Sequence, residues 1–189
     1  YNDTLVADAR GNTLYGMFGD DLLIGGAGAD LMIGEIGNDV FNGGASGDYI
    51  RGGAGQDVLS YIGSSAGVIA RLDNGVFAGG DASDDNVLEI ESLIGSANSD
   101  ILIGDGQGNV LLGGDGFDLL NGGGGSDIVN GGSGNDELWG GAAADIFVFS
   151  WGIDTVKDFQ LGVDHIDLRE MGAQPGQISV TAALGGTLL

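Results

Sequence analysis

A chain of 189 residues with 42% apolar residues is long enough to bury a core in one or two domains. Its 5 Lys and Arg residues face 28 Asp and Glu residues, a formal net charge of -23, which excludes a nucleic-acid surface, argues against anionic membranes and makes a cation the natural ligand. The chain has no cysteine, hence no disulfide and no thiolate metal site, and no apolar run approaches the length that spans a membrane.

The first predicted element is a block of nine-residue units over residues 1–60, and the same frame resumes over residues 95–148. From Gly16 the first block reads GMFGDDLLI, GGAGADLMI, GEIGNDVFN, GGASGDYIR and GGAGQDVLS, preceded by the degenerate ADARGNTLY and the tail of another unit. From Gly95 the second block reads GSANSDILI, GDGQGNVLL, GGDGFDLLN, GGGGSDIVN, GGSGNDELW and GGAAADIFV. Of thirteen sixth positions eleven are Asp and two, Asn12 and Asn109, are Asn, while the eighth position is apolar in all thirteen.

Each unit indicates a glycine-rich turn followed by a short strand. Glycine accepts positive φ without a Cβ clash, so the first four residues can turn tightly and aim their carbonyls inward. The last three residues form a strand whose middle side chain, the eighth, points into a core. Two units of nine residues then make one coil, and stacked coils build two parallel sheets with a column of loops along each edge.

This stacking places like charges above one another. Asp21 is expected to lie above Asp39, and Asp39 above Asp57, at the inter-strand spacing of about 4.8 Å. Two carboxylates about 5 Å apart repel by roughly 3 kcal/mol at an effective dielectric constant of about 20, and the repulsion recurs along both edges. A hard divalent cation with about six to eight oxygen ligands, carbonyls included, removes the repulsion, which describes calcium better than magnesium, zinc or copper.

The motif G-G-x-G-x-D-x-U-x is matched in full by units such as GGAGADLMI, GGAGQDVLS, GGGGSDIVN and GGSGNDELW. By this motif the chain resembles the RTX calcium-binding nonapeptide repeats. The resemblance implies an all-β fold, a parallel β-roll (right-handed β-solenoid) in two blocks of repeats separated by a β-rich insert. It also implies calcium ions between each loop and the loop two units on.

In that family one loop offers its second and fourth carbonyls and its sixth-position carboxylate, while the other offers its first and third carbonyls and its own carboxylate. Carried over, one such site has Glu35, Gly37 and Asp39 in one loop and Gly52, Ala54 and Asp57 in the other. The metal ligands and loop residues that the resemblance implies are Asp3, Asn12, Asp21, Gly25, Gly26, Ala27, Gly28, Asp30, Gly34, Glu35, Ile36, Gly37, Asp39, Gly43, Gly44, Ala45, Asp48, Gly52, Ala54, Asp57, Asp100, Asn109, Gly113, Gly114, Asp115, Gly116, Asp118, Gly122, Gly123, Gly124, Gly125, Asp127, Gly131, Gly132, Ser133, Gly134, Asp136, Gly140, Ala142 and Asp145.

Pairing sixth positions two units apart within each block gives nine candidate calcium sites, seven of them Asp with Asp, and we expect about six to nine bound ions. The pairs are 3 with 21, 12 with 30, 21 with 39, 30 with 48, 39 with 57, 100 with 118, 109 with 127, 118 with 136 and 127 with 145. Asp39 is expected to serve two sites and Asp48 only one. Sites that use Asp3, Asn12 or Asn109 are expected to be weakest. The turns are less regular where Ala7, Ser46, Asn98, Gln107 or Ala143 replaces a motif glycine.

Residues 61–94 form an insert that breaks the period of nine. Val68, Ala70 and Leu72 are predicted to share one strand face, and Leu88 and Ile90 to share another, with Asn74-Gly75 as a turn. For Asp81, Asp84 and Asp85 the two interpretations are a solvated acidic loop, which is favoured, and a further ion site.

Residues 149–189 are predicted to form a C-terminal β cap, because ADIFVFSWGIDTVKDFQLGVDHIDL resembles the segment that closes the β-roll of serralysin-type proteases. For Asp154, Asp158 and Asp164 the two interpretations are turn-forming residues and ligands of a terminal ion. Trp139 and Trp151 are expected in core or cap positions rather than on a sugar-stacking platform. Because the chain stops at LGGTLL, the cap and the family's secretion signal are expected to continue beyond Leu189.

The function expected from these patterns is a non-catalytic calcium-binding module of a secreted or cell-surface bacterial protein, an adhesin for example. Such a module folds on calcium binding after export by type I secretion machinery, through a signal outside this chain. The alternative is an accessory region of a secreted protease, lipase or polysaccharide-modifying enzyme, in contact with polysaccharide. The single histidine, His165, allows no HExxH zinc site, and the glycine-rich strings belong to the nonapeptide frame rather than to a nucleotide-binding loop. We predict no catalytic residue, no nucleic-acid partner and no membrane insertion.

Overall fold

The structure, a computed structural model, describes residues 1–169, which form short strands joined by tight loops. In chain order the strands are β1 (Thr4–Val6), β2 (Thr13–Phe18), β3 (Leu22–Gly26), β4 (Leu31–Ile36), β5 (Val40–Gly44), β6 (Tyr49–Ala54), β7 (Val58–Ser60), β8 (Ile69–Arg71), β9 (Val76–Ala78), β10 (Asn86–Leu88), β11 (Ser92–Ile94), β12 (Ile101–Ile103), β13 (Val110–Gly116), β14 (Leu119–Gly124), β15 (Ile128–Gly134), β16 (Glu137–Ala142), β17 (Ile146–Val148), β18 (Thr155–Val156) and β19 (His165–Asp167). The only helix within residues 1–169 is a 3-10 turn at Gly80–Ala82, so no described helix could cross a membrane.

Alternate strands stack into parallel sheets on two faces of a solenoid. One face is a nine-stranded sheet in the order β1-β3-β5-β7-β11-β13-β15-β17-β19. The other face holds a four-stranded sheet, β10-β6-β4-β2, and a six-stranded sheet, β18-β16-β14-β12-β8-β9. Thr4 pairs with Leu22 and Leu22 with Val40, a register shift of two nine-residue units per coil. The predicted all-β parallel roll, with two units in each coil, is confirmed.

The eighth-position side chains form the core between the two faces. All of them are buried except Leu5, in the first coil, which is partly buried. The set is Leu5, Leu14, Leu23, Met32, Phe41, Ile50, Leu59, Leu102, Leu111, Leu120, Val129, Leu138 and Phe147. Because a strand alternates its side chains between two faces, the seventh and ninth positions lie outside this core. The apolar eighth position therefore sets the register of every repeat strand.

The insert continues the solenoid instead of interrupting it. β11 pairs with β7 on one side and with β13 on the other, so the nine-stranded sheet runs through without a gap. On the opposite face β10 extends the sheet of β6, whereas β8 extends the sheet of β12. β9 returns antiparallel to β8 through the predicted Asn74-Gly75 turn, in which the Gly75 N–H donates to the Arg71 carbonyl at 3.0 Å.

One prediction for the insert is wrong. Leu88 and Ile90 do not share a face, because Leu88 is exposed and Ile90 is buried. Glu89 between them has a φ of 56°, in the left-handed region, which ends the strand and breaks the alternation. Val87 takes the inward place instead, paired with Ile50 and packed against the core.

Two further strands follow the second block. β18 pairs with β16 and β19 pairs with β17, so the solenoid extends at least to Asp167. Trp151, expected in the core or cap, is 75% exposed, and Trp139 is half-buried beside the Lys157 ammonium group, which lies 5.8 Å from its ring centre. The rest of the predicted cap, from residue 170 onward, lies outside the described residues.

Candidate metal centre

The sixth-position residues lie in two columns, each at the start of the strands of one face. The first column precedes strands of the nine-stranded sheet and contains Asp3, Asp21, Asp39, Asp57, Asn109, Asp127 and Asp145. The second column precedes strands of the opposite face and contains Asn12, Asp30, Asp48, Asp100, Asp118 and Asp136.

Within each column a side-chain oxygen of one residue accepts a hydrogen bond from the backbone N–H of the residue above it, which is 18 residues earlier in the chain. The Asp21 N–H donates to Asp39 Oδ1 at 2.8 Å, and the Asp118 N–H donates to Asp136 Oδ1 at 2.9 Å. The same bond joins all nine predicted pairs, with donor-to-acceptor distances from 2.6 to 2.9 Å. The structure therefore brings together every pair of sixth positions that the period predicts.

The second carboxylate oxygen of these aspartates is buried and, among the described residues, accepts no hydrogen bond. This holds for Oδ2 of Asp21, Asp30, Asp39, Asp48, Asp57, Asp118, Asp127, Asp136 and Asp145. Asp100 differs, because its Oδ2 accepts the Ser96 N–H at 2.6 Å. A buried charged oxygen without a partner is strongly destabilising, so nine of them in two ordered columns require cations.

The loop glycines leave the space around these oxygens open. A Cβ built on Gly25, a first-position glycine, would lie 2.5 Å from Asp30 Oδ2 and 2.5 Å from the Gly43 carbonyl oxygen. A Cβ built on Gly44, a second-position glycine with a φ of 86°, would collide with the Gly26 carbonyl oxygen. First-position carbonyls thus face the preceding coil and second-position carbonyls face the following one, so both sets of oxygens lie between stacked loops.

This donor set consists of carboxylates and backbone carbonyls, which suits calcium. Within residues 1–169 no three His, Cys, Asp or Glu side chains cluster as a metal site, so carbonyls must supply most of the ligands.

The sequence model of the RTX calcium-binding nonapeptide repeat (4 copies) matches residues 1–32, 24–59, 89–120, 103–138 and 121–156. The chain belongs to this family. A search of curated proteins found no match.

RTX repeats bind calcium, and no Lys or Arg side chain of this chain forms an ion pair with a column residue. All five Lys and Arg side chains form ion pairs, which are Arg10 with Asp8, Arg51 with Glu89, Arg71 with Asp73, Lys157 with Glu137 and Arg169 with Asp167. None of these five pairs includes a residue of either column. The protein's own cations therefore do not neutralise the buried carboxylates.

Burial raises the pKa of several column carboxyl groups. At Asp118 loss of solvation is the largest cause, like-charge repulsion from Asp136 and Asp100 adds to it, and the pKa rises from 3.8 to about 7. Burial likewise raises the pKa of Asp48 to about 7 and that of Asp127 to about 6. The N–H donated to each Oδ1 acts in the opposite direction without offsetting burial.

Residues at the ends and at irregular turns show how the RTX pattern tolerates exceptions. Asp3 is exposed and Asn12 is only partly buried, whereas Asn109 is buried. Ser46 and Ala143, which replace motif glycines, keep the left-handed turn with φ values of 85° and 90°. The turn is therefore imposed by the stacking, at a conformational cost for a side chain with a Cβ.

Four acidic residues outside the predicted sixth positions accept the same backbone hydrogen bond as the column aspartates. They are Asp85, Glu91, Asp154 and Asp164. The Asp48 N–H donates to Asp85 Oδ1 at 2.9 Å, so the expectation that Asp48 has one neighbour is wrong. Asp85 is buried, not part of a solvated loop, and its Oδ2 accepts the Tyr61 hydroxyl hydrogen bond at 2.9 Å. Glu91, Asp154 and Asp164 similarly accept N–H bonds from column residues. The signal for Asp85 was present in GDASDDNVL, a degenerate unit with Gly at its first position and Asp at its sixth.

Proposed function

We propose that this chain is a non-catalytic module that folds when calcium binds, and that it belongs to a secreted or surface-attached bacterial protein. The observation that carries the proposal is the set of nine buried aspartate oxygens without a hydrogen-bond partner among the described residues. While these carboxylates are ionised, such a set is compatible with a stable fold only if cations occupy the columns.

Calcium in the columns changes the balance between the expanded and the folded chain. The net charge of -23 and the 41 glycines favour expansion, because folding orders a flexible backbone and brings carboxylates together. If dissociation constants lie at about 0.1 to 1 mM, as in extracellular calcium modules, a tenfold excess of free calcium stabilises the fold by roughly 1.4 kcal/mol per independent site. Nine such sites together contribute about 13 kcal/mol, which is comparable to the ~5 to 15 kcal/mol by which ordinary domains are stable.

In this proposal the nine predicted pairs each hold one calcium ion between stacked loops, with the implied carbonyl and carboxylate ligands. The pairs that rely on Asp3, Asn12 or Asn109 are the weakest, because Asp3 is exposed and each Asn lacks a carboxylate charge. Asp39 accepts the Asp21 N–H at its Oδ1 and donates its own N–H to Asp57 Oδ1, and this contact with both neighbours in the column supports the shared use of Asp39 by two ions.

Folding on calcium fits a protein that is exported unfolded. Low calcium inside the cell keeps the carboxylates apart, and higher calcium outside removes the repulsion. The acids of the columns serve the fold in this proposal, and His165 lies exposed on β19 without a role in a reaction. An accessory region of a secreted enzyme would use the same calcium sites, so this alternative differs in what else the parent protein contains.

The test is a calcium titration of the chelated chain at neutral pH, followed by circular dichroism and small-angle scattering, with magnesium as the control. We expect a steep rise in β signal and a fall in radius of gyration over a narrow range of calcium concentration. Magnesium should be far less effective, because it demands regular octahedral geometry and gives up its water slowly. A chelated chain that is already compact, or a magnesium curve that matches the calcium curve, would contradict the proposal.

A further inference from the structure

The first column does not end with the first block. The Asp39 backbone N–H donates to Asp57 Oδ1, in the next repeat of the column. The Asp57 backbone N–H donates to Glu91 Oε2 at 2.8 Å, and Glu91 lies near the end of the insert, 34 residues further along the chain. The strand after Glu91, β11, pairs directly with β7. Glu91 therefore occupies the place that an aspartate takes in an intact repeat.

The loop before Glu91 also supplies a carbonyl oxygen in the place of the first-position carbonyl of a repeat. A Cβ built on Gly34 would lie 2.7 Å from the Gly52 carbonyl oxygen, the first-position carbonyl of the coil below. A Cβ built on Gly52 would collide in the same way with the Glu89 carbonyl oxygen. Glu89 has a left-handed φ of 56°. This conformation lets the chain turn within two residues, Glu89 and Ile90, before it reaches Glu91.

The side chain of Glu89 is held away from this place. Arg51 Nε donates to Glu89 Oε2 at 2.7 Å and Arg51 Nη2 to Oε1 at 3.2 Å, so the Glu89 carboxylate is already neutralised. Only its carbonyl oxygen faces Gly52. The Asn109 Nδ2 donates to the Glu91 carbonyl at 2.9 Å and fixes the backbone of Glu91 from the other side.

A buried, unpartnered oxygen points to a ligand here. Asp57 is fully buried, and its Oδ2 accepts no hydrogen bond within the described part of the chain. That oxygen would lie 2.5 Å from a Cβ on Gly52, on the side where the Glu89 carbonyl also approaches. None of the five ion pairs includes Asp57 or Glu91.

We propose that Asp57, Glu91 and the Glu89 carbonyl oxygen bind a further calcium ion, the junction site, at the boundary between the first block and the insert. This inference rests on the proposed function, because it uses the same ion and the same kind of ligands. It lies outside the nonapeptide frame, since the loop that supplies Glu89 and Glu91 is shorter than a repeat loop and carries a glutamate.

The junction site gives the ion a role in connecting the blocks. β11 joins β7, from the first block, to β13, from the second, and Glu91 directly precedes β11. An ion between Asp57 and Glu91 therefore fixes the first block to the strand on which the second block stacks. Folding of the two blocks becomes a single calcium-dependent transition.

The test counts calcium ions bound by the whole chain, using equilibrium dialysis at saturating calcium and metal analysis. Glu91→Gln removes the carboxylate charge at the junction site, and Glu137→Gln makes the same change at a half-buried residue paired with Lys157, outside both columns. We expect Glu91→Gln to bind one calcium ion fewer than the wild type, and Glu137→Gln to bind the wild-type number. A folded Glu91→Gln chain with the wild-type number of ions would overturn the inference.

A second variant keeps the test decisive if Glu91→Gln does not reach the compact β state. Glu91→Asp restores the carboxylate that intact repeats have, and we expect it to fold in calcium and to bind the wild-type number of ions. If Glu91→Asp behaves like Glu91→Gln, the carboxylate is not the required group and the junction site is rejected. A wild-type chain that binds no calcium would reject the proposed function itself, which separates the two failures.

Discussion

At the scale of single residues, each column aspartate uses its two carboxylate oxygens differently. Asp39 Oδ1 accepts the Asp21 N–H at 2.8 Å, which fixes the rotamer, whereas Oδ2 is buried beside Gly34 without a hydrogen bond. An asparagine keeps the backbone N–H that donates to the next carboxylate of the column, at 2.6 Å from Asn12 to Asp30 Oδ1 and at 2.7 Å from Asn109 to Asp127 Oδ1, but its side chain brings no charge to the ion. This explains why Asn12 and Asn109 fit the fold while we expect their calcium sites to be weak.

Two neighbouring glycines of one loop provide a matched pair of variants. Gly123 has a φ of 99° and a Cβ there would collide with the Asp105 carbonyl oxygen, so Gly123→Ala should lower the free energy of unfolding by about 1 to 3 kcal/mol. Gly124 has no left-handed φ and its nearest contact would be Gly106 Cα at 3.5 Å, so Gly124→Ala should be neutral or stabilise by up to about 1 kcal/mol. Urea unfolding in saturating calcium measures both. Equal losses in the two variants would contradict the loop geometry.

The raised pKa values predict a pH dependence of the calcium-free chain. Burial raises the pKa of Asp118 from 3.8 to about 7 and that of Asp57 to about 6, so the folded form holds protons more tightly than the unfolded form. Their contribution to stability is fully present below 3.8 and is lost as the pH rises through about 6 to 7. In chelator the chain should become more compact when the pH falls from about 7.5 to about 5.

Calcium-dependent folding should respond to pH in the opposite direction, because protons compete with the ion for the same carboxylates. The calcium concentration at the folding midpoint should therefore rise as the pH falls below about 6. Scattering and circular dichroism at the two pH values measure both effects. A chelated chain that is equally expanded at both pH values would show that the column carboxyls do not bind protons more tightly in the fold.

At the scale of strands, the repeat strands could be predicted and the insert strands only in part. In the repeats the apolar eighth position recurs with the loop glycines, so period and face are set together. In the insert the alternation of Leu88 and Ile90 suggested one continuous strand, but Glu89 turns left-handed between them. The pairing of β11 with β7 joins residues 34 apart, and a register across such a distance depends on tertiary contacts that a local pattern does not contain.

The register of β10 is tested by a pair of adjacent truncations. Val87 pairs with Ile50 and packs against the core, so Val87→Ala should lower the free energy of unfolding by about 1 kcal/mol. Leu88 is 46% exposed, so Leu88→Ala should change it by no more than about 0.5 kcal/mol. Denaturant midpoints in saturating calcium give the comparison. A larger loss for Leu88→Ala would place the opposite face of β10 against the core.

At the scale of the whole molecule, the nine-residue period predicted the two-faced roll and all nine column pairs from the sequence. The period could not predict that the nine-stranded sheet passes through the insert, nor that Glu91 continues the first column, because both depend on a shortened loop outside the frame. The division into two blocks, an insert and a cap stays a prediction about folding units. In our proposal the junction site makes the two blocks one calcium-dependent unit.

In our proposal calcium ions lie between stacked loops in the two columns. The most direct measurement is a crystal structure of the chain grown in calcium, with anomalous difference maps collected at a wavelength where calcium scatters anomalously. We expect peaks between successive sixth-position residues along both columns, weakest beside Asp3, Asn12 and Asn109, and a further peak between Asp57 and Glu91. Anomalous peaks that lie mainly away from the loop columns would contradict the account.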